Sequence, residues 1–256
     1  MTTSITTASA PSLKPEIRHV DVGRPWLWLA QGWRDLKAIG SPAFAHGALI
    51  ALLGGILLML GSSHLYLVAA AVTGYLLVGP VMTSGLCELA RRRAAREPTG
   101  FDDSLRSLTR DADGLLHFGL LLAIIALVWF VASAVLLQTV FSNSAPSLAV
   151  ALWGGASHLS PAQWTAYFGC GFVLALLVFV LSVVSVPMLL DRHVRASDAV
   201  RTSVRTVVAN LPAMFVWAAL IVAVNALGFA TLLLGMVVVA PWLGLATWHA
   251  YRDLVT

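Results

Sequence analysis

Gly79-Pro80-Val81-Met82-Thr83-Ser84-Gly85-Leu86-Cys87-Glu88-Leu89-Ala90-Arg91-Arg92-Arg93 decides how this chain is read. To its left an apolar run begins at Leu65 and carries no charge, and to its right the chain turns basic. Such a boundary marks a helix leaving a bilayer on the cytoplasmic side. The same device, a proline inside an apolar run followed by charge, returns at Pro187 and Pro241.

Composition agrees. Hydrophobic residues make up 59% of the 256 and charged residues 11%, against roughly 25% charged in an average soluble domain. So few charges could not cover the surface of a soluble protein of this length, and the apolar excess is gathered into blocks long enough to span. The net charge of +4 is read as basic flanks meeting anionic lipid. Nucleic acid is not an expected partner, because no basic stripe alternates with stacking aromatics. Cys87 and Cys170 fall near opposite faces of the bilayer, too far apart for a disulfide, and no Cys/His spacing suits a metal. No cleavable leader is expected: Lys14, Glu16, Arg18, Asp21 and Arg24 leave residues 1–24 without an apolar core.

Taken in order, residues 1–24 read as a disordered cytoplasmic tail, with Pro15 to Gly23 polar and extended. From Pro25 to Ile39, Trp26, Leu29, Trp33, Leu36 and Ile39 recur at helical steps while Arg34, Asp35 and Lys37 fall off the stripe. This predicts an amphipathic helix, with Trp26 and Trp33 as interfacial anchors. Residues 25–256 form a single membrane domain with spans expected at about 44–61, 65–86, 115–141, 167–190, 213–227 and 230–249. Gly47, Gly54, Gly55 and Gly61 give the first span a smooth face. Pro80, Pro187 and Pro241 are candidate kinks. Between the spans lie two further amphipathic pieces, one around Phe101, Leu105 and Leu108 and one from Ala196 to Asn210. Trp248 is a third expected interfacial anchor.

Topology follows from a count. Five Lys/Arg precede the first span, six lie between the second and third, four between the fourth and fifth, and one follows the sixth, which is all sixteen. The positive-inside rule then puts both termini in the cytoplasm. Each third of the chain reads amphipathic helix, span, neutral turn, span with proline, charged exit. The expected fold is therefore an all-α integral membrane protein of six transmembrane helices arranged as three hairpins.

Four motifs carry a resemblance. They are Trp28-Leu29-Ala30-Gln31-Gly32-Trp33-Arg34-Asp35-Leu36, Gly79-Pro80 with Glu88-Leu89-Ala90-Arg91-Arg92, Ser185-Val186-Pro187-Met188-Leu189-Leu190-Asp191-Arg192, and Ala246-Thr247-Trp248-His249-Ala250-Tyr251-Arg252-Asp253. In order and content they resemble the bacterial integral membrane proteins grouped as domain of unknown function 2189, over about residues 16–256. The resemblance implies a six-span inner-membrane protein and carries no activity with it. Cys87 stands where the pattern has an aromatic Tyr, and Leu245 where a His often precedes the Ala-Thr-Trp-His run.

Glu88, Arg91, Arg92, Asp191, Arg192, His193, His249 and Arg252 fall at the cytoplasmic ends of the even-numbered spans. Around one axis they would form a polar ring able to grip an anionic headgroup or a partner loop. Ordinary interhelical ion pairing is the plainer account of the same residues. His46, His117 and His249 share one depth, but no spacing forces them onto one ion, so no metal or other cofactor is expected. No catalytic set appears and no charge lies within the spans. The leading expectation is a non-enzymatic accessory, assembly or organising protein of the bacterial inner membrane, holding lipid headgroups or a membrane-protein partner through its charged face. The alternative is a transporter of a small neutral or amphipathic solute along the three prolines. A third reading is a lipid-acting enzyme using Glu88, Asp191 or His249 as acid or base.

Overall fold

The structure, a computed structural model, describes residues 15–61, 83–106, 112–141, 161–192 and 194–256. Among them run ten helices: α1 (Arg24–Ile39), α2 (Ser41–Gly61), α3 (83–94), α4 (Phe101–Leu105), α5 (Ala112–Phe141), α6 (Pro161–Ser182), α7 (Ser185–Arg192), α8 (Ala196–Ala209), α9 (Leu211–Ala230) and α10 (Met236–Leu254). Among the described residues there is no strand, only an antiparallel bridge between Ile17 and Val255.

Three helical stretches are long and apolar enough to cross a membrane: Ala112–Ala132, Gly169–Arg192 and Leu211–Ala230. A fourth candidate is the pair Arg24–Ile39 and Ser41–Leu57, bent by 106°. Gly40 makes that bend at φ 70°, a left-handed conformation that glycine adopts without a steric penalty. The first expected span falls on α2, the third on α5, the fourth on α6 and α7, and the fifth on α9. The second, 65–86, lies outside the described residues except for its last turn.

The expected sixth span, 230–249, falls on a turn and on α10. Residues 231–235 form turns, and α10 runs on to Leu254 through Arg252 and Asp253. It is not among the helices that meet the length and apolarity of a span. It is the hub of the fold, packed on α1, α2 and α9. Eleven of its residues, from Met236 to Leu254, are buried. A helix covered on most sides can be apolar around its girth without facing lipid.

Glycines let the neighbours approach it. A Cβ on Gly32 of α1 would come within 2.7 Å of the Ala246 backbone nitrogen. One on Gly47 of α2 would overlap the Val237 carbonyl, and one on Gly244 would come within 2.5 Å of Leu86.

The stripe expected on α1 divides between core and surface. Its buried residues are Pro25, Trp28, Leu29, Gly32, Leu36 and Ile39, while Trp26 is 62% exposed. Trp28 instead enters the core, edge-on to Trp217 with ring centroids 5.7 Å apart. Residues 15–23, placed in a disordered tail above, are extended and held. Arg18 N–H donates to Leu254 C=O at 2.9 Å, Glu16 and Thr256 exchange backbone bonds, and Val20 N–H donates to Asn210 Oδ1 at 2.9 Å. Residues 16–20 and the C-terminal residues therefore meet beside α8.

Between α6 and α7 the helix is interrupted at Val183 and Val184. Proline at 187 has no N–H for the Val183 carbonyl, and its ring crowds that carbonyl. Ser203 of α8 takes up the slack. Its hydroxyl donates to Val180 C=O at 2.7 Å and accepts from Val184 N–H at 3.3 Å.

Candidate functional site

The last turn of α10 carries His249, Tyr251, Arg252 and Asp253. Successive positions on a helix diverge by about 100°, so each side chain reaches a different neighbour. His249 Nε2 donates to Asp35 Oδ2 at 2.8 Å, and Arg93 Nε donates to the other oxygen of Asp35 at 2.7 Å. Tyr251 OH donates to Asp191 at 2.7 Å and accepts from Arg192 Nε at 3.1 Å. Arg252 adds a bond to Asp191 at 3.3 Å. Asp253 takes a two-pronged grip from Arg24 at 2.7 and 2.6 Å and a third bond from Trp28 Nε1 at 2.8 Å.

Glu88 forms a separate knot on α3. Buried to 1% exposure, it accepts from Arg91 and Arg92 at 2.8–2.9 Å. Arg92 also reaches Asp103 at 3.2 Å. The expected ring thus resolves into local knots tied by residues the sequence did not single out as partners: Asp35, Arg93, Asp103, Tyr251, Asp253 and Arg24. His193 and Pro80 lie outside the described residues.

These pairings set the charge states. Burial alone would raise the Asp35 carboxyl, but the bonds from His249 and Arg93 outweigh it and hold it below the usual range. Asp253 is likewise lowered: burial opposes, and Arg24 and Trp28 prevail. Tyr251 is pushed up, first by burial and then by its bond to Asp191.

The histidines do not converge. His46 is buried, with Nδ1 donating to Pro42 C=O at 2.9 Å and Nε2 3.2 Å from Ser104 Oγ. His117 is exposed and bonds Asp113 C=O of its own helix at 2.7 Å. Among the described residues, no group of three or more His, Cys, Asp and Glu is placed to hold a metal. Trp248, expected at the interface, is 3% exposed and packs on Tyr251, so that role is corrected. Its position on the hub helix buries it. Trp33 remains partly exposed, edge-on to Trp242 at 5.2 Å. Cys87 and Leu245 are both buried, and Cys87 Sγ faces the carbonyl of Gly244, next to Leu245.

Beneath the polar end lies a cavity of about 360 Å³, bounded by α2, α3, α6, α7, α9 and α10. It is mainly apolar and no charged side chain lines it. Its polar lining is Thr83, Ser182, Asn225 and Thr247. Ser182 donates to Val178 C=O at 2.6 Å, Thr247 to Leu243 C=O at 2.8 Å, and Asn225 Nδ2 to Ile221 C=O at 2.8 Å. Each of these three spends a donor on its own helix and keeps acceptor capacity. Val183, at the break before Pro187, is also in the lining. Pro241, by contrast, lies inside an uninterrupted α10.

Residues 67–191 match the family described as "Predicted integral membrane protein (DUF2189)". The resemblance read from the motifs holds over those residues, and the chain is an integral membrane protein with several apolar helices. No curated protein and no solved structure matches it. The DUF2189 match includes the Glu88 knot, the broken α6–α7 helix and Asp191. The partners of Arg93, of the helix break and of Asp191, namely Asp35, Ser203 and Tyr251, lie outside it. One sequence carries no signal that would join His249 to a residue 214 positions away.

Proposed function

We propose that this protein binds an uncharged, amphipathic solute in its central cavity and carries it into or across the bilayer. The observation that carries the reading is the helix break at Val183–Val184, of which Val183 lies on the cavity wall and has a carbonyl left without its usual donor by Pro187. Broken helices at membrane depth are tolerated where they line a cavity, and transporters use the freed backbone groups for binding. The volume is within the range of roughly 300–1,000 Å³ of small-molecule sites. A wall without carboxylates or cations favours a neutral ligand, and hydroxyl and amide acceptors favour one that brings an O–H or N–H donor.

The polar end supports this choice over its rivals. Glu88, Asp191 and His249 are engaged by partners in the fold, which disfavours them as free acid or base and as a grip on a partner loop. We read the protein as non-enzymatic on that ground. The distribution of Lys and Arg supports cytoplasmic termini, and we place the protein in the bacterial inner membrane on the family resemblance alone.

The test uses purified protein in mild detergent and three fluorescent probes of equal chain length, bearing a hydroxyl, a quaternary ammonium or a sulfate head. Saturable binding of the hydroxyl probe alone, lost in Ala240→Phe, is the expected result. Equal binding of all three, or binding indifferent to Ala240→Phe at unchanged thermal stability, overturns the proposal.

A further inference from the structure

Helix α8 has two faces of opposite character. Ala199, Thr202, Ser203, Thr206 and Val207 are buried, packed toward α5, α6 and α7. On the other side Asp198, Arg201, Arg205 and Val208 are exposed. Positions 201, 205 and 208 follow steps of four and three, so they share one face. The chain then turns at Asn210 and enters α9, where Leu211 and Phe215 are exposed, Phe215 to 76%. Charge therefore gives way to exposed apolar surface within about one turn after Arg205, on the approach to a helix long and apolar enough to cross a membrane.

The two arginines also have no carboxylate partner, a property they share with Arg18, Arg34, Arg96, Arg192 and Arg195 among the described residues. Arg24, Arg91, Arg92, Arg93, Arg106 and Arg252 each have a carboxylate within 4.0 Å. Arg201 and Arg205 have none among the described residues, and Asp198 on the same face has no cation within 4.0 Å there. With exposed Arg195 just before the helix, three cations face one anion. The opposite face of α8 holds the helix in place through Ser203, so the arginines are presented on an anchored support.

We propose that the Arg201–Arg205 face of α8 docks on the anionic phospholipid headgroups of the bilayer that α9 enters. Charge complementarity identifies the occupant. Two adjacent uncompensated guanidiniums match phosphate geometry, and the apolar residues beyond them match the acyl region. Long arginine side chains reach headgroups from either side of that boundary. The inference is independent of the cavity.

The experiment uses full-length protein in nanodiscs of mixed phosphatidylglycerol and phosphatidylcholine. Lipid retention is read by native mass spectrometry, and amide exchange of residues 196–209 is followed in parallel. Wild type should retain phosphatidylglycerol preferentially, and its exchange over α8 should be slower than in pure phosphatidylcholine. Each of Arg201→Gln and Arg205→Gln should weaken the preference roughly fivefold, the effect of one basic residue near an anionic surface. Arg201→Lys with Arg205→Lys should keep most of it. An unchanged preference in the double Gln variant overturns the proposal. So does protection reproduced in phosphatidylcholine by inorganic phosphate, which would make a free anion the ligand.

Discussion

Gly47 of α2 packs against the carbonyl of Val237, an acceptor that Pro241 leaves without the usual donor four residues on. Two features that look unrelated in the sequence, a small residue in one helix and a proline in another, occupy one contact. The proline frees the carbonyl, and the glycine brings a Cα close enough to cover it. Gly47→Ala should therefore lower stability by about 1–3 kcal/mol, since neither backbone can retreat easily. Gly55→Ala, where an added Cβ meets nothing within 4 Å, should be neutral or slightly stabilising through helix propensity. Thermal unfolding in mild detergent compares the two, and equal losses would refute the contact.

Ser203 and Pro187 should be energetically coupled. Ser203→Ala removes both partners of the broken turn and should cost about 1–3 kcal/mol. Pro187→Ala restores an N–H and lets the helix close, so Ser203 then has less to satisfy. In a double-mutant cycle the serine substitution should cost clearly less in the alanine background. Additive effects would mean that Ser203 does not serve the break.

The Asp35 and Asp253 carboxyls are both held below their usual range. Folding then binds fewer protons than the unfolded chain as the pH drops. The stability these groups add is fully present above roughly pH 4, where unfolded carboxyls are ionised, and is lost as pH falls through the lowered folded values. Asp35→Asn should cost about 2 kcal/mol near neutrality, the scale of a hydrogen bond to a charged group. It should also flatten the loss of thermal stability below roughly pH 4. A parallel acid profile for wild type and variant would exclude Asp35 as a contributor.

The tryptophans divide by position. Trp248→Ala empties a buried site and should cost about 3–5 kcal/mol. Trp26→Ala, on an exposed face, should leave stability within about 0.5 kcal/mol and instead change quenching of the protein's fluorescence by brominated lipid. Loss of stability in both would place Trp26 in the core.

Much of the site was within reach of the sequence, but not its pairing. Glu88, Arg91 and Arg92 lie three and four residues apart, and helical spacing alone brings them together. Pro187 marked the break, because a proline's missing N–H is a local property. The stripe on α1 left out the tryptophan that enters the core, Trp28. Trp26 and Trp28 are two residues apart and point to different faces, and which one is buried depends on where α10 lies. The pairing within the polar cluster was hidden for a related reason: equal depth at a membrane face says nothing about which side chains meet.

Membrane character, the charged exits and the amphipathic pieces were determined by the sequence itself, because apolarity and helical period are sums over neighbouring side chains. Tertiary structure alone decided that α10 is the hub, that Arg24 closes on Asp253 across 229 positions, and that Ser203 mends the turn before Pro187. Those facts depend on which distant surfaces meet, and that is set by backbone approach and packing of the whole chain rather than by any segment.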